Sequence, residues 1–506
     1  MPSSTSILLK NGVALIHDSD NHVVPTKTDI LIQNDRIAKI EKDIEPDAAE
    51  VIDCTDKIIS PGFIDTHRHG WQTQLKGRHA NELLLAYMVS GNAQACQFSA
   101  KDVFYGQLAG MLESIAAGTT TVVDHAHITV SPDHAKMGIA GAASSGIRSV
   151  YCYTPVMRIK SWNPLTYHDN PLEDWVMETF SNLASEGPWA DGRITLGFAF
   201  DLFFLGAEVV KGIFAVAKKG GIQTITIHSA HGPQLGGGWP GGITQLLKEW
   251  DLLDEHILFS HSNNIDRADA DLIRQTNAHI SSTPSTELQM AMGRPACFDA
   301  SFLDGKSAGL QDHASLGIDC HSYISASIIG EARIGLQNAR ANFNEYYLQQ
   351  GKTTAGLPDS LSVEAAFNLA TVKGAEAARM EKDIGRIAEG FKADLAIFDA
   401  LSPALVAAAQ HDPIAAIILH SSPADIDTVI VDGKVRKQNG RLVDTAVEEQ
   451  AQETVGKANL SWVDVAKELV GSRGRMQAEI DTIDFEEATA TLKKVFHVDE
   501  SVFVAT

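Results

Sequence analysis

The stretch "IISPGFIDTHRHG" (Ile58–Gly70) decides how the rest of the chain is read. Ile58–Asp65 is an apolar run with the composition of a buried strand, and it leads into His67 and His69. In an extended chain residues i and i+2 point the same way, so both imidazoles can converge on one ion. A single H-x-H is weak by itself, because two polar residues near a turn look the same.

Working outward, the segments before it, "SILLKNGVALI", "DILIQNDRIAKI" and "AEVIDCTDKIISPGF", alternate apolar and polar residues. Asn11-Gly12 and Asn34-Asp35 punctuate them as turns, so the first sixty residues read as a small all-β piece. Downstream, helix-period segments alternate with short apolar runs. Residues 99–117 place Phe104, Leu108, Met111, Leu112 and Ile115 on one helical face, with Ser99 as N-cap and Gly118 as stop. Strand candidates follow: "TTTVVD", "RSVYCY" (148–153), "ITLGFAF" (194–200), "TITIH" (224–228), "ILFSH" (257–261), "AHISS" (278–282) and "ASLGID" (314–319). With 58–65 these make eight, separated by helices, which predicts an α/β fold built on a (β/α)8 TIM-type barrel. Short strands return after about residue 390, and the last sixty residues repeat apolar positions at helical spacing (Trp462, Val465, Ala466, Leu469). The expected division is 1–60 and 386–444 as the two parts of one composite β-sandwich, 61–385 as the barrel, and 445–506 as a helical C-terminal tail packed on the body or on a partner subunit.

In a barrel of this kind chemistry sits where strands end. The first candidate leads to His67 and His69, the fifth ends at His228, the sixth at His261 and the eighth at Asp319. Buried strands have little reason to end on a lone histidine or aspartate repeatedly. Three imidazoles, a fourth nearby and a carboxylate suit a divalent first-row metal: Zn²⁺ foremost, with Fe²⁺ or Mn²⁺ as alternatives, and one position left open for water.

Composition excludes other classes. Of 506 residues, 44% are hydrophobic and 21% charged, as in ordinary globular proteins. The 41 Lys and Arg against 64 Asp and Glu give a formal charge of −23, which repels phosphate backbones and anionic membranes. Neither a nucleic acid nor a membrane is therefore an expected partner; a small molecule is. The five cysteines are scattered, no secretory signal stands at the N-terminus, and a reducing, cytoplasmic location is expected.

Taken together, "SPGFIDTHRH", the strand ends "IH", "SH" and "LGID", and "NLATVKGAEAARMEKDIGRIAEGFKADLAIFD" resemble the amidohydrolase superfamily, in particular its cytosine deaminase and triazine hydrolase (ATZ/TRZ) branch. The resemblance spans about residues 6 to 440. It implies that His67, His69, His228 and Asp319 bind one metal, with His261 beside it. It also implies hydrolysis of a C–N (non-peptide) bond in a small cyclic or heteroaromatic molecule by metal-activated water. Asp319 can then serve as base and His261 as oxyanion stabiliser. Binuclear members bridge two ions with a lysine or glutamate at the end of strand four; "ITLGFAFDL" has neither, which favours one ion, and Asp201 there reads as a cap or turn residue. The resemblance and the tail lean toward a homo-oligomer, dimer or higher.

One motif departs from the branch. Deaminases of this type carry His-x-x-Glu after strand five, whereas this chain reads "HSAH". His231 can shuttle protons, bind a substrate anion or carbonyl, or do nothing. That departure admits a lyase reaction such as decarboxylation as an alternative; a non-catalytic assembly relative is a third reading, opposed by the full ligand set. Trp71, Gln72, His125, His321 and Trp239, the last on a flap "PQLGGGWPGG", are candidate substrate-binding residues, and Glu287 is an alternative proton carrier.

Overall fold

The computed structural model describes residues 6–230, 242–298 and 309–504. Eight parallel strands form the central sheet: β1 (Phe63–Arg68), β2 (Thr119–Ala126), β3 (Arg148–Tyr153), β4 (Ile194–Ala199), β5 (Ile225–Ser229), β6 (Ile257–His261), β7 (His279–Ser282) and β8 (Ala314–Leu316). Each pairs with its neighbour in the chain, and a bridge from Arg68 to Asp319 brings β1 back beside β8. Helices cover the outside, so the strands are apolar on both faces. The helix expected over 99–117 runs Ala100–Ala116. Ser99 caps it through Asp102 N, and the Asp102 carboxylate accepts from Ser99 N in return. Gly118, at φ 85°, then turns the chain into β2.

The segment 58–65, expected as one strand, is two. Lys57–Pro61 belongs to a second sheet and β1 starts at Phe63. Gly62 lies between them because a Cβ there would stand 2.2 Å from the Thr120 side chain. The strand expected over 314–319 ends at Leu316, which leaves Asp319 in the turn beyond it at φ 60°.

The second sheet has nine strands and joins both chain ends. Its seam is Lys57–Pro61 running antiparallel to Leu395–Asp399, with Ile59 opposite Ile397. Leu9, Ile30, Ile59, Ile397 and Ile430 fill a core separate from that of the barrel. Arg148 at the start of β3 locks the two together: its guanidinium donates to both oxygens of Asp394 at 2.8 and 3.2 Å and to Asp432 at 2.9 Å.

The tail packs on the body. Helix Trp462–Ile480 meets helix Ala100–Ala116, where Ser472 Oγ donates to Asp102 Oδ1 at 2.6 Å. Helix Phe485–Val495 lays Ala488 and Leu492 against Val89 and Leu165. Among the described residues no helix is long and apolar enough to cross a membrane.

Candidate metal centre and its cavity

The alternation of β1 turns His67 and His69 inward and Arg68 outward. Buried Arg68 donates to Ser114 Oγ at 2.7 Å and to the Gly110 carbonyl at 2.8 Å, pinning β1 to helix Ala100–Ala116. The ligand atoms of His67, His69, His228 and Asp319 lie within 4.8 Å of one another. His67 Nε2 and His69 Nε2 stand 3.2 and 3.0 Å from Asp319 Oδ1. Thr286 Oγ1 donates to the other carboxylate oxygen, Oδ2, at 2.8 Å.

Each imidazole is gripped from behind. His69 Nδ1 donates to the His125 carbonyl at 2.8 Å, His228 Nδ1 to Asp201 Oδ2 at 2.8 Å, and His67 Nδ1 meets Ser260 Oγ at 2.7 Å. A carbonyl and a carboxylate only accept, so His69 and His228 carry a proton on Nδ1, and in the neutral form that a metal takes their lone pairs are on Nε2. Lone pairs then converge on a carboxylate, which repel one another unless a cation stands between them. The donor set therefore fits a divalent metal, with the outer partners that metal-binding histidines need.

His261 closes one side, its ring 5.4 Å from that of His67 and 5.7 Å from that of His228. Burial pushes its imidazole down to about 4 despite the pull of Asp319, so it is neutral near pH 7. Thr283 Oγ1 lies 2.8 Å from Nδ1; with the hydroxyl donating, the ring proton sits on Nε2. Both His261 (φ 76°) and Asp319 (φ 60°) hold left-handed backbone, a costly conformation for such residues and one that clusters at functional sites.

Asp201, read from the sequence as a cap, is the residue that reading undervalued. It accepts from the His228 backbone N–H at 2.9 Å as well as from its ring, and His125 Nε2 lies 3.1 Å away. His125, Asp201 and His228 form a second group whose ligand atoms lie within 4.8 Å of one another. Because His228 is common to both groups and spends Nδ1 on Asp201, this trio supports the first set.

A cavity of ≈ 350 Å³ opens from this centre, with His69, His127, Asp201, His228, His261 and Asp319 at its polar end. The structure revises the expected substrate contacts. Trp71 is fully buried and donates from Nε1 to His127 Nδ1 at 3.1 Å. Gln72 Nε2 donates to the Tyr87 hydroxyl at 2.7 Å, and His321 Nε2 lies 3.0 Å from Thr73 Oγ1. With His125, these three stand behind the cavity wall; for Trp71 and Gln72 the reason is that the segment after β1 is packed under helix Ala100–Ala116 and the tail. Glu287 is likewise set back: it accepts from Thr283 N at 2.8 Å and burial pushes it up to about 8. It thus props the turn just after β7, which carries Thr283. His127, Tyr87 and Asn92 take the lining positions. His231 and Trp239 lie outside the described residues.

A family model described as "Amidohydrolase family" matches residues 58–436, three-quarters of the chain. The chain belongs to the amidohydrolase family. The family match takes in every ligand candidate and the seam strand Leu395–Asp399, and it ends before the helical tail. Among curated amidohydrolase-like relatives, a 5-methylthioadenosine/S-adenosylhomocysteine deaminase of Pyrococcus horikoshii is 25% identical over 446 residues, covering 87% of this chain and 96% of the relative. A 5'-deoxyadenosine deaminase of Methanobrevibacter smithii is 26% identical over 454 residues, 85% of this chain and 93% of the relative. Among solved structures, a zinc-bound adenosine deaminase from Xanthomonas campestris superposes with a TM-score of 0.74 at 17% identity, covering 94% of this chain and 99% of that one. A zinc complex of atrazine chlorohydrolase from Arthrobacter aurescens superposes at 0.67 and 17%, covering 92% and 100%. Those likenesses establish the shared barrel fold.

Proposed function

We propose that this amidohydrolase is a metal-dependent hydrolase that breaks a C–N bond in a small heteroaromatic molecule. The observation that carries the reading is the convergence of His67, His69, His228 and Asp319, with two tautomers fixed from behind, at the polar end of a cavity. These four would hold one divalent ion, Zn²⁺ by preference and Fe²⁺ or Mn²⁺ as alternatives, which when bound polarises an acceptor oxygen or nitrogen and lets water ionise near neutral pH. Asp319 takes the proton released from water, while Thr286 keeps its second oxygen in place. His261, neutral and protonated on Nε2, donates to the charge that develops on the attacked ring. His231 is assigned the proton for the departing nitrogen on its place in the sequence. The relatives' names make deoxyadenosine-type amines the first compounds to try.

The test is ammonia release from 5'-deoxyadenosine, 5'-methylthioadenosine and amino-substituted triazines by Zn²⁺-loaded protein, run in ¹⁸O-labelled water. Labelled product, lost in Asp319→Asn, is expected. Turnover without label points to a lyase, and the hydrolase reading then falls.

Two coarser expectations complete the proposal. The cysteines at 54, 96, 152, 297 and 320 are all free, as a reducing cytoplasm requires. Trp462, Val463 and Val470 are exposed on the tail, which supports a homo-oligomer; light scattering giving a monomer mass would dismiss it.

A further inference from the structure

The cavity has two chemically different ends. Away from the metal ligands its lining turns to hydrocarbon and thioether, with Met88 and Met157 facing it, while Met290 and Met292 line it nearer the metal end beside Cys320 and Ala230; flexible thioethers adapt to varied apolar shapes. The far wall comes from helix Phe485–Val495 and the residue after it, through Leu492 and Phe496. Leu492 is anchored in the small core with Val89 and Leu165, whereas Phe496 keeps 40% of its surface exposed. Both lie beyond residue 436, outside the segment that the family model matches. Arg158 is the one lysine or arginine among the described lining residues. Its Nη2 donates to Glu173 Oε1 at 2.7 Å, which offsets its charge, and the guanidinium lies 5.1 Å over the Trp175 ring, while its buried Nε–H has no hydrogen-bond partner among the described residues. A phosphate or carboxylate brought to this end would shed water and find, among the described lining residues, no cation without a carboxylate partner to replace it. A volume of ≈ 350 Å³ also exceeds what a single bare ring fills, and lies in the range of pockets for larger organic ligands.

We infer that the substrate is an uncharged molecule whose reactive ring faces the metal end and whose bulky apolar substituent rests on Leu492 and Phe496, so that the C-terminal tail selects that substituent. The inference builds on the C–N hydrolysis proposed above but makes a separate claim about the far wall.

The experiment uses the Zn²⁺-loaded full chain and a series of 5'-alkylthio-5'-deoxyadenosines, methyl to hexyl, which keeps one ring and lengthens one apolar group. KM is expected to fall about fourfold per added methylene, and 5'-AMP, with a phosphate at the same place, is expected not to bind. Phe496→Glu, at a position exposed enough to tolerate charge, should flatten the dependence on chain length. Glu479→Lys, at an exposed position of the preceding tail helix outside the Trp462, Val463 and Val470 patch, should keep it, which separates the wall from general damage to the tail. A flat series in the native protein, an unchanged slope in Phe496→Glu, or tight binding of 5'-AMP overturns the inference. Should no member of the series release ammonia, the reaction reading has failed by itself. The wall is then judged with the neutral dye N-phenyl-1-naphthylamine: fluorescence enhancement in the native protein, weakened about tenfold in Phe496→Glu, supports it, and equal binding or none overturns it.

Discussion

Replacing Asp201 by Asn tests the metal centre without needing a substrate. The native carboxylate accepts twice from His228, through Oδ1 from the backbone N–H at 2.9 Å and through Oδ2 from Nδ1 at 2.8 Å. An amide of the same shape offers one acceptor and one donor. If its oxygen keeps the backbone N–H, its NH₂ faces Nδ1, and the imidazole must move its proton to Nε2, which removes the lone pair that the metal needs. If the amide flips, the backbone N–H of a strand-end residue loses its partner. Either way one charge-assisted hydrogen bond is lost, and outer partners of this kind are worth roughly 10- to 100-fold in metal affinity, about 1.4 to 2.7 kcal/mol. Zn²⁺ affinity, measured by competition with a chromophoric chelator at neutral pH, should fall by that factor while the circular dichroism spectrum stays native. Affinity unchanged within about twofold would refute the claim that Asp201 sets the His228 tautomer. A loss as large as in His228→Ala would refute it in the other direction, making Asp201 a ligand in its own right.

His69→Ala and Asp319→Asn should bring turnover below detection and reduce bound metal while the chain still folds, checked by metal analysis and thermal melting; near-native turnover in either sinks the mechanism. His17 gives a pH prediction. Burial lowers its imidazole from 6.5 to about 4, so the unfolded chain binds the proton more tightly. Its contribution is complete above pH 6.5 and is lost as pH falls toward 4, by about 3 kcal/mol. Urea melts of His17→Gln across that window should show a correspondingly shallower decline, and an identical decline would count against it. Gly62→Ala should destabilise the fold by about 1–3 kcal/mol, because the new methyl group must displace the Thr120 side chain; an unchanged denaturation midpoint would refute the close approach.

The sequence alone indicated the order of the barrel strands and helices and pointed to the residues that the structure brings together at their ends. His67, His69, His228, His261 and Asp319 were legible because each stands at or just past a strand end, where strand periodicity and barrel geometry fix where side chains go. The pairing of the two chain ends into one sheet was legible for the same reason, as strand-like segments flanking a barrel. What only the tertiary structure decided concerns partners far apart in the chain. The break at Gly62 depends on Leu395–Asp399 claiming the segment before it, and no local pattern records that pairing. Asp201 looked like a turn residue because its partners, His125 and His228, lie on other strands. Trp71, Gln72 and His321 follow site residues in sequence yet face away from the cavity, since burial is set by what packs against a loop. Leu492 reaches a cavity whose metal ligands begin at His67. Periodicity showed that Leu492 lies in a helical tail, but only the docking of that helix shows what its apolar face covers.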